Sequence, residues 1–224
     1  MKRIIITDFA HFAQLVTSTL FDGRVFRGAS DIDKHDLTPP IGRSARWRKL
    51  PINSITAKER AMLKRFKQEG SPYVKGHLTD WEWMILARHH GLPGRLLDWS
   101  RNPLVALYFA VQGGNGHAGV VYAERFYRSV QTTKATDPFG ITQVSKVIPA
   151  HTHARIAAQA SVFTIHPNPR STYTSKNLIG LKVSGKLKIE FRESLRRLGI
   201  HPATLFPGLD GVAVSISKSA LTGL

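Results

Sequence analysis

The stretch Pro103-Leu104-Val105-Ala106-Leu107-Tyr108-Phe109-Ala110-Val111-Gln112 constrains the fold of this chain more than any other. Asn102 in front of it has the side-chain oxygen of a helix N-cap, and a proline in the first turn sacrifices no hydrogen bond. The spacing predicts a helix over 103–112. Because that helix is apolar nearly all round, other elements have to enclose it on most sides. A chain of 224 residues, 42% of them apolar, can build one sizeable core around it. The apolar run Leu104–Val111 falls far short of the ~20 residues that cross a bilayer.

The remaining patterns are placed around this helix. Val25-Phe26 reads as a strand that leaves into a loop at Arg27-Gly28, and 31–56, with Pro39-Pro40, Pro51 and many charges, reads as an extended basic connection. Helical spacing resumes at Ala57, with Ala61, Met62 and Phe66 on one face. A second helix is capped by Thr79 or Asp80, carries Trp81, Met84, Ile85 and Arg88 on one stripe, and stops at Gly91. Leu96–Ser100 reads as a short strand. Strands are expected at 119–123, 141–148, 161–165 and the alternating Lys186–Phe191, and helices at 192–198 and 211–221. These elements describe an α+β fold, one domain over 1–224, with helices largely N-terminal and antiparallel strands largely C-terminal.

Thirty-two Lys and Arg oppose fifteen Asp and Glu, a formal charge of +17. Between Ile41 and Lys67 stand Arg43, Arg46, Arg48, Lys49, Lys58, Arg60, Lys64, Arg65 and Lys67 against the single acid Glu59. A second basic zone runs from Lys176 to Arg197. Such fields attract polyanions through counterion release, so nucleic acid is the expected partner, with Arg43, Arg46, Arg48, Lys49, Arg60, Lys64 and Arg65 as contacts. A solubilising surface or an anionic protein partner fits the same charges. The chain has no cysteine. That excludes disulfides, thiolate metal sites and a cysteine nucleophile, and it fits a reducing cytosol. The apolar run that opens the chain stops at Asp8, too short for a signal-peptide core. A cytoplasmic protein without a membrane partner is expected.

Three stretches stand out together: Phe26-Arg27-Gly28; the long run from Ala87 through Arg95-Leu96-Leu97-Asp98-Trp99-Ser100 to Ala110; and Arg155–Thr164 together with Gly199-Ile200 and Leu205–Gly211. In combination they resemble the FRG family, which is named for a Phe-Arg-Gly motif. The resemblance covers about 24–213. The motif order is similar to that of ADP-ribosyltransferases, which use NAD as substrate. It implies an ADP-ribosyltransferase-like fold, with Arg27, Ser100 and Gln159 in the three catalytic places. It also implies cofactor contacts from Phe26, Arg27, Gly28, His89, Arg95, Asp98, Ser100, Asn102 and Tyr108. Transferases of that kind usually carry a glutamate two residues after the position of Gln159, and here that residue is Ser161.

Each of these residues has a plainer reading. An arginine after a strand is often a surface charge, although its planar fork suits phosphate. Adjacent helical histidines diverge by about 100°, so His89-His90 is no metal pair, and no metal is expected. His151 and His153 read as loop or nucleic-acid contacts. Arg95 and Asp98 can pair and brace the loop between helix and strand. Ser100 and Asn102 can cap the following helix as readily as they can meet a nucleotide, and Trp99 and Tyr108 suit a core. Few acids are present and none forms a glycosidase-like pair. Two functions remain: an NAD-dependent mono-ADP-ribosyltransferase acting on DNA or RNA, in a toxin or phage-defence setting, or a non-catalytic nucleic-acid-binding module with the same fold.

Overall fold

A computed structural model describes residues 1–130, 132, 136–150 and 154–222. His151 and His153 lie outside these residues. The strands are β1 (Lys2–Ile6), β2 (Val25–Ala29), β3 (Leu96–Ser100), β4 (Gly119–Glu124), β5 (Ser129–Val130), β6 (Ser145–Val147), β7 (Ser161–Ile165) and β8 (Ile179–Val183). Among the described residues they form one sheet, in the order β1-β8-β4-β2-β3-β7-β6-β5. The β1–β8 and β5–β6 pairs are parallel and the other pairs antiparallel. The helices are α1 (Phe9–Val16), α2 (Pro40–Arg43), α3 (Ala45–Arg48), α4 (Ile52–Gly70), α5 (Asp80–His89), α6 (Pro103–Ala110), α7 (Ala154–Ala158), α8 (Lys188–Arg197), α9 (Pro202–Leu205) and α10 (Leu209–Thr222). The fold is mixed α/β. Its strands alternate with helices from the first residues onward, and three helices close the chain, so the expected division into N-terminal helices and C-terminal strands does not hold.

The apolar helix α6 lies directly on β2 and β4. Asn102 caps it by accepting from the Leu104 amide at 2.9 Å. A Cβ on Gly28 would overlap the Ala106 carbonyl oxygen, and one on Gly119 the Ala110 carbonyl oxygen, so both glycines are there to let helix and sheet backbones meet. Ala106, Leu107 and Ala110 then fill the core with Phe12, Phe26, Val121, Leu181 and Phe191. Each large apolar side chain buried in this way contributes roughly 1.5–3 kcal/mol.

A second cluster on the same sheet face packs Trp81, Met84 and Ile85 of α5 and Leu63 of α4 against Leu96, Phe163 and Ile165. The opposite sheet face is covered by Leu37, Leu178, Phe126 and Tyr173. In α5, the Thr79 side chain accepts from the Glu82 amide and the Glu82 carboxylate accepts from the Thr79 amide, a reciprocal capping box.

Several expected elements are different in the structure. Residues 31–56 are not an extended connection: Leu37, Thr38, Ile41 and Ile55 are buried, Pro40 opens the one-turn helix α2, and Thr38 Oγ1 lies 2.8 Å from Thr172 Oγ1. The buried stripe of α4 is Ile55, Glu59 and Leu63, while Ala61 is exposed. Lys186–Phe191 is not a strand. Lys188, Phe191 and Leu195 recur at helical spacing and are buried, which overrides the short alternation, and Ile189 is left exposed. In 141–148 only Ser145–Val147 pairs, and Pro149, which has no amide to donate, follows it. The N-terminal strand β1 was not anticipated. It lies parallel to β8, from Lys2↔Ile179 to Ile6↔Val183. No helix among the described residues is long and apolar enough to cross a membrane.

Candidate functional site

Strands β2 and β3 touch at one register point, Phe26↔Ser100, and then diverge. Side chains alternate across a strand, so Phe26, Asp98 and Ser100 face α5 and α6, whereas Arg27 leaves β2 from the other face and its guanidinium reaches the gap between the strands, where Nη1 meets Asp98. The divergence opens a cavity of about 530 Å³ between the two core clusters. Phe26, Arg27 and Gly28 line one side, and Asp98, Trp99 and Ser100 the other. Arg88–Gly91 close it from the end of α5, Val105, Ala106 and Phe109 from α6, and Arg155, Gln159, Ser161 and Phe163 from α7 and β7.

Asp98 is the electrostatic centre. Its Oδ2 accepts from Arg88 Nη2 at 2.5 Å and Nε at 3.1 Å, and from Arg27 Nη1 at 3.5 Å. Arg27 Nη1 also donates to the Asp98 main-chain oxygen at 2.6 Å. Burial pushes the Asp98 carboxyl up, but Arg88 and Arg27 outweigh it and hold the group below the usual carboxylate range. Asp98 keeps 38% of its side-chain exposure, toward the cavity, against 15% for Arg27 and 19% for Arg88. Burial, together with neighbouring Arg43 and Arg88 and despite Asp98, lowers Arg27 to about 10. It stays a cation at neutral pH.

Arg155 adds a third guanidinium. Its Nη1 donates to the His89 carbonyl at 3.2 Å, its Cζ lies 4.8 Å from the Phe206 ring centroid, and its buried Nε has no hydrogen-bond partner among the described residues. Burial lowers it, and Asp98 pulls the other way. Arg43, exposed and outside the cavity lining, donates Nε to Thr38 O at 2.9 Å and feels both Arg88 and Asp98. It was expected in a separate nucleic-acid patch, and the structure brings it to the field of the cavity.

Ser100 and Gln159 reach the cavity with their polar groups engaged. Ser100 Oγ donates to Gln159 O at 2.7 Å and accepts from the Asn102 amide at 2.9 Å, while Gln159 Nε2 donates to Leu205 O at 2.9 Å. Between Gln159 and Ser161, Ala160 has φ +45°, a left-handed conformation costly for a residue with a Cβ. The Arg101 amide holds its carbonyl at 2.9 Å.

Phe26, Arg27, Gly28, His89, Asp98, Ser100 and Gln159 therefore converge on one cavity, and three expected contacts do not. Arg95 is buried and pairs with Glu59, Nε to Oε2 at 2.8 Å, with Nη2 on Thr56 Oγ1 at 2.9 Å. It does not pair with Asp98, because Glu59 and Thr56 of α4 take up its guanidinium. Burial pushes the Glu59 carboxyl up against the pull of Arg95. Asn102 is the cap of α6, and Tyr108 belongs to the core beside Phe109 and Phe206. Arg88, Arg155 and Ser161 were not singled out for the cavity. A charged residue on the apolar stripe of α5 was the available signal for Arg88, and a position one helical turn before Gln159 the signal for Arg155.

Outside the cavity, Arg46, Arg48, Lys49, Arg60, Lys64 and Arg65 are exposed. Some are already paired: Arg60 with Asp137, Arg65 with Glu69 at 2.6 Å, and Arg48 through Nε with Gly42 O at 2.9 Å. No group of three His, Cys, Asp or Glu among the described residues is placed to hold a metal.

Residues 22–118 match the family model of the FRG domain. This stretch is similar to the FRG domain. The matched span contains Phe26-Arg27-Gly28 and the whole of β3 and α6, hence two walls of the cavity. Arg155 and Gln159 lie beyond it. No curated protein and no solved structure matches the chain.

Proposed function

We propose that the cavity binds the pyrophosphate of NAD and that the protein transfers ADP-ribose from it to nucleic acid, within an ADP-ribosyltransferase-like fold. The observation that carries this reading is the set of three guanidiniums, Arg27, Arg88 and Arg155, gathered about Asp98 in a cavity with aromatic walls. Guanidiniums grip phosphate oxygens in pairs, and Phe109, the partly exposed one of the aromatic wall residues, offers apolar surface for a flat ring of a dinucleotide.

In such a transfer the bond between the nicotinamide nitrogen and the anomeric carbon of the ribose breaks, and its electron pair leaves with nicotinamide. An oxygen or nitrogen of the acceptor bonds to that carbon and gives its proton to water. The chain's part is to hold and orient. Arg27 clamps phosphate, Ser100 fixes the strand end and the chain at Gln159, and Gln159, with Nε2 spent on Leu205 O, offers its amide oxygen to the cationic sugar. Arg43, within the electrostatic reach of Arg88 and Asp98, links the field of the cavity to that of the basic segment α2–α4, which favours a polyanionic acceptor.

A non-catalytic nucleic-acid-binding module is the second reading. It is favoured by Ser161 at the place of the transferase glutamate, and by the Ser100 hydroxyl already used within the fold. The deciding experiment incubates the purified protein with NAD labelled in its adenylate half and with DNA, RNA or mixed protein, beside a calorimetric titration with NAD. Label retained on nucleic acid supports transfer, and NAD binding without retained label supports the module. If NAD neither binds nor labels, the NAD reading is abandoned.

A further inference from the structure

We propose that Asp98 is a specificity-determining residue, a fixed counter-charge that tunes the cavity to a dianionic pyrophosphate diester and against nucleotides with a free terminal phosphate. The inference rests on the phosphate-binding reading of the cavity and adds which phosphate ligands it accepts.

The charge count comes from the lining residues. Arg27, Arg88 and Arg155 give three positive charges and Asp98 removes one, leaving two. A pyrophosphate esterified at both ends carries two negative charges and matches that balance. ADP and ATP carry one and two more, on a terminal phosphate that the same cations would draw toward the Asp98 carboxylate. Asp98 cannot turn aside easily, because Arg88 holds Oδ2 through both Nε and Nη2, at 3.1 and 2.5 Å. Nor is it placed to move a proton. Two guanidiniums keep it ionised well below neutral pH, which makes it a weak base. Its remaining exposure is toward the cavity, so what it offers a ligand is charge. Arg43, exposed and outside the cavity lining, adds a solvent-screened cation that is the same in every variant, so its pull cancels when the affinity ratios of the variants are compared.

The test is calorimetric titration at pH 8, fixed ionic strength and with a metal chelator, using ADP-ribose, ADP and ATP as probes. Wild type should bind ADP-ribose in preference to ATP. Asp98→Asn should raise the ratio of ATP to ADP-ribose affinity at least about tenfold, since one like charge close to the added phosphates is removed. Asp98→Glu should keep the wild-type ratio. Arg88→Gln should shift it the other way, and the double variant Asp98→Asn/Arg88→Gln, which restores the net charge, should return toward wild type. A purely structural Asp98 would change all three affinities in parallel, and that result overturns the inference. If the asparagine variant does not fold, Arg88→Gln decides alone, an unchanged ratio again overturning it. Wild-type protein that binds none of the three probes would instead overturn the phosphate-binding reading itself.

Discussion

Arg27 Nη1 donates to the main-chain oxygen of Asp98 at 2.6 Å, across the point where β2 and β3 cease to pair. A side chain from one strand thus replaces the backbone ladder to the other, and the same guanidinium faces the cavity. The opening of the sheet and its ligand-facing charge depend on one residue. That coupling explains why a cation can sit so deep: the carbonyl and carboxylate of Asp98 offset the loss of water around it.

Replacement of Arg27 should therefore be poorly tolerated whichever residue replaces it. Lysine keeps the charge but loses the fork that bridges the Asp98 main-chain oxygen and a ligand phosphate. We expect Arg27→Lys to weaken NAD binding nearly as much as Arg27→Ala, each by about 2 kcal/mol or roughly 30-fold. Calorimetry on both variants checks this. Near-wild-type affinity in the lysine variant would mean that charge alone is used.

Arg95 should behave as part of the scaffold. Glu59→Ala strands a buried guanidinium and should cost about 3–5 kcal/mol of unfolding free energy, whereas a paired replacement, Glu59→Leu with Arg95→Met, should recover most of it. Denaturant unfolding measures both. The paired variant should bind NAD like wild type, and a loss of affinity at unchanged stability would return Arg95 to the site.

His166 supplies a pH dependence. It is buried, its Nε2 is 2.9 Å from Thr164 Oγ1, and that hydroxyl accepts from Trp99 Nε1 at 3.0 Å. Burial first, and Arg27 second, lower its pKa from 6.5 to about 4. Between those values the unfolded chain binds the extra proton and the folded one does not. Stability is thus lost as pH falls from about 6.5 to about 4, by roughly 3 kcal/mol in all, and levels off below. The stability advantage of wild type over His166→Gln should shrink by that amount across this range. Parallel profiles for the two proteins would show that His166 does not titrate as its burial requires.

The local elements with strong punctuation were legible in the sequence. Thr79 with Glu82 marks α5, and Asn102-Pro103 marks α6, because capping chemistry is local. Lys186–Phe191 misled because six residues satisfy a strand period while the helical set Lys188, Phe191 and Leu195 only emerges over a longer window. In the site, Phe26-Arg27-Gly28, Ser100 and Gln159 were legible as motifs. Their neighbours Arg88 and Arg155 were not, since they come to Asp98 from α5 and α7 through the packing of those helices. Gly28 was expected to meet the cofactor, but what its missing Cβ admits is the backbone of α6.

The basic segment makes the last prediction. Affinity for DNA or RNA should fall steeply with salt, because phosphate contacts release counterions in proportion to their number. The exposed cations are not equivalent. Arg60 is paired with Asp137 and lies 4.3 Å from the Phe139 ring centroid, and Arg65 is paired with Glu69, so part of their charge is already used. Lys64 is exposed on the same helix, and Arg43 is exposed within the electrostatic reach of Arg88 and Asp98. Lys64→Glu should weaken binding by a similar factor for every sequence and reduce the salt slope by about one unit, as loss of a single phosphate contact does. Arg43→Gln should weaken nucleic acid and NAD together, because it contributes to both fields. Fluorescence anisotropy over a salt series, on single-stranded and duplex probes of unrelated sequence, reads both effects. Binding that persists unchanged at high salt would assign the charge of this segment to another partner.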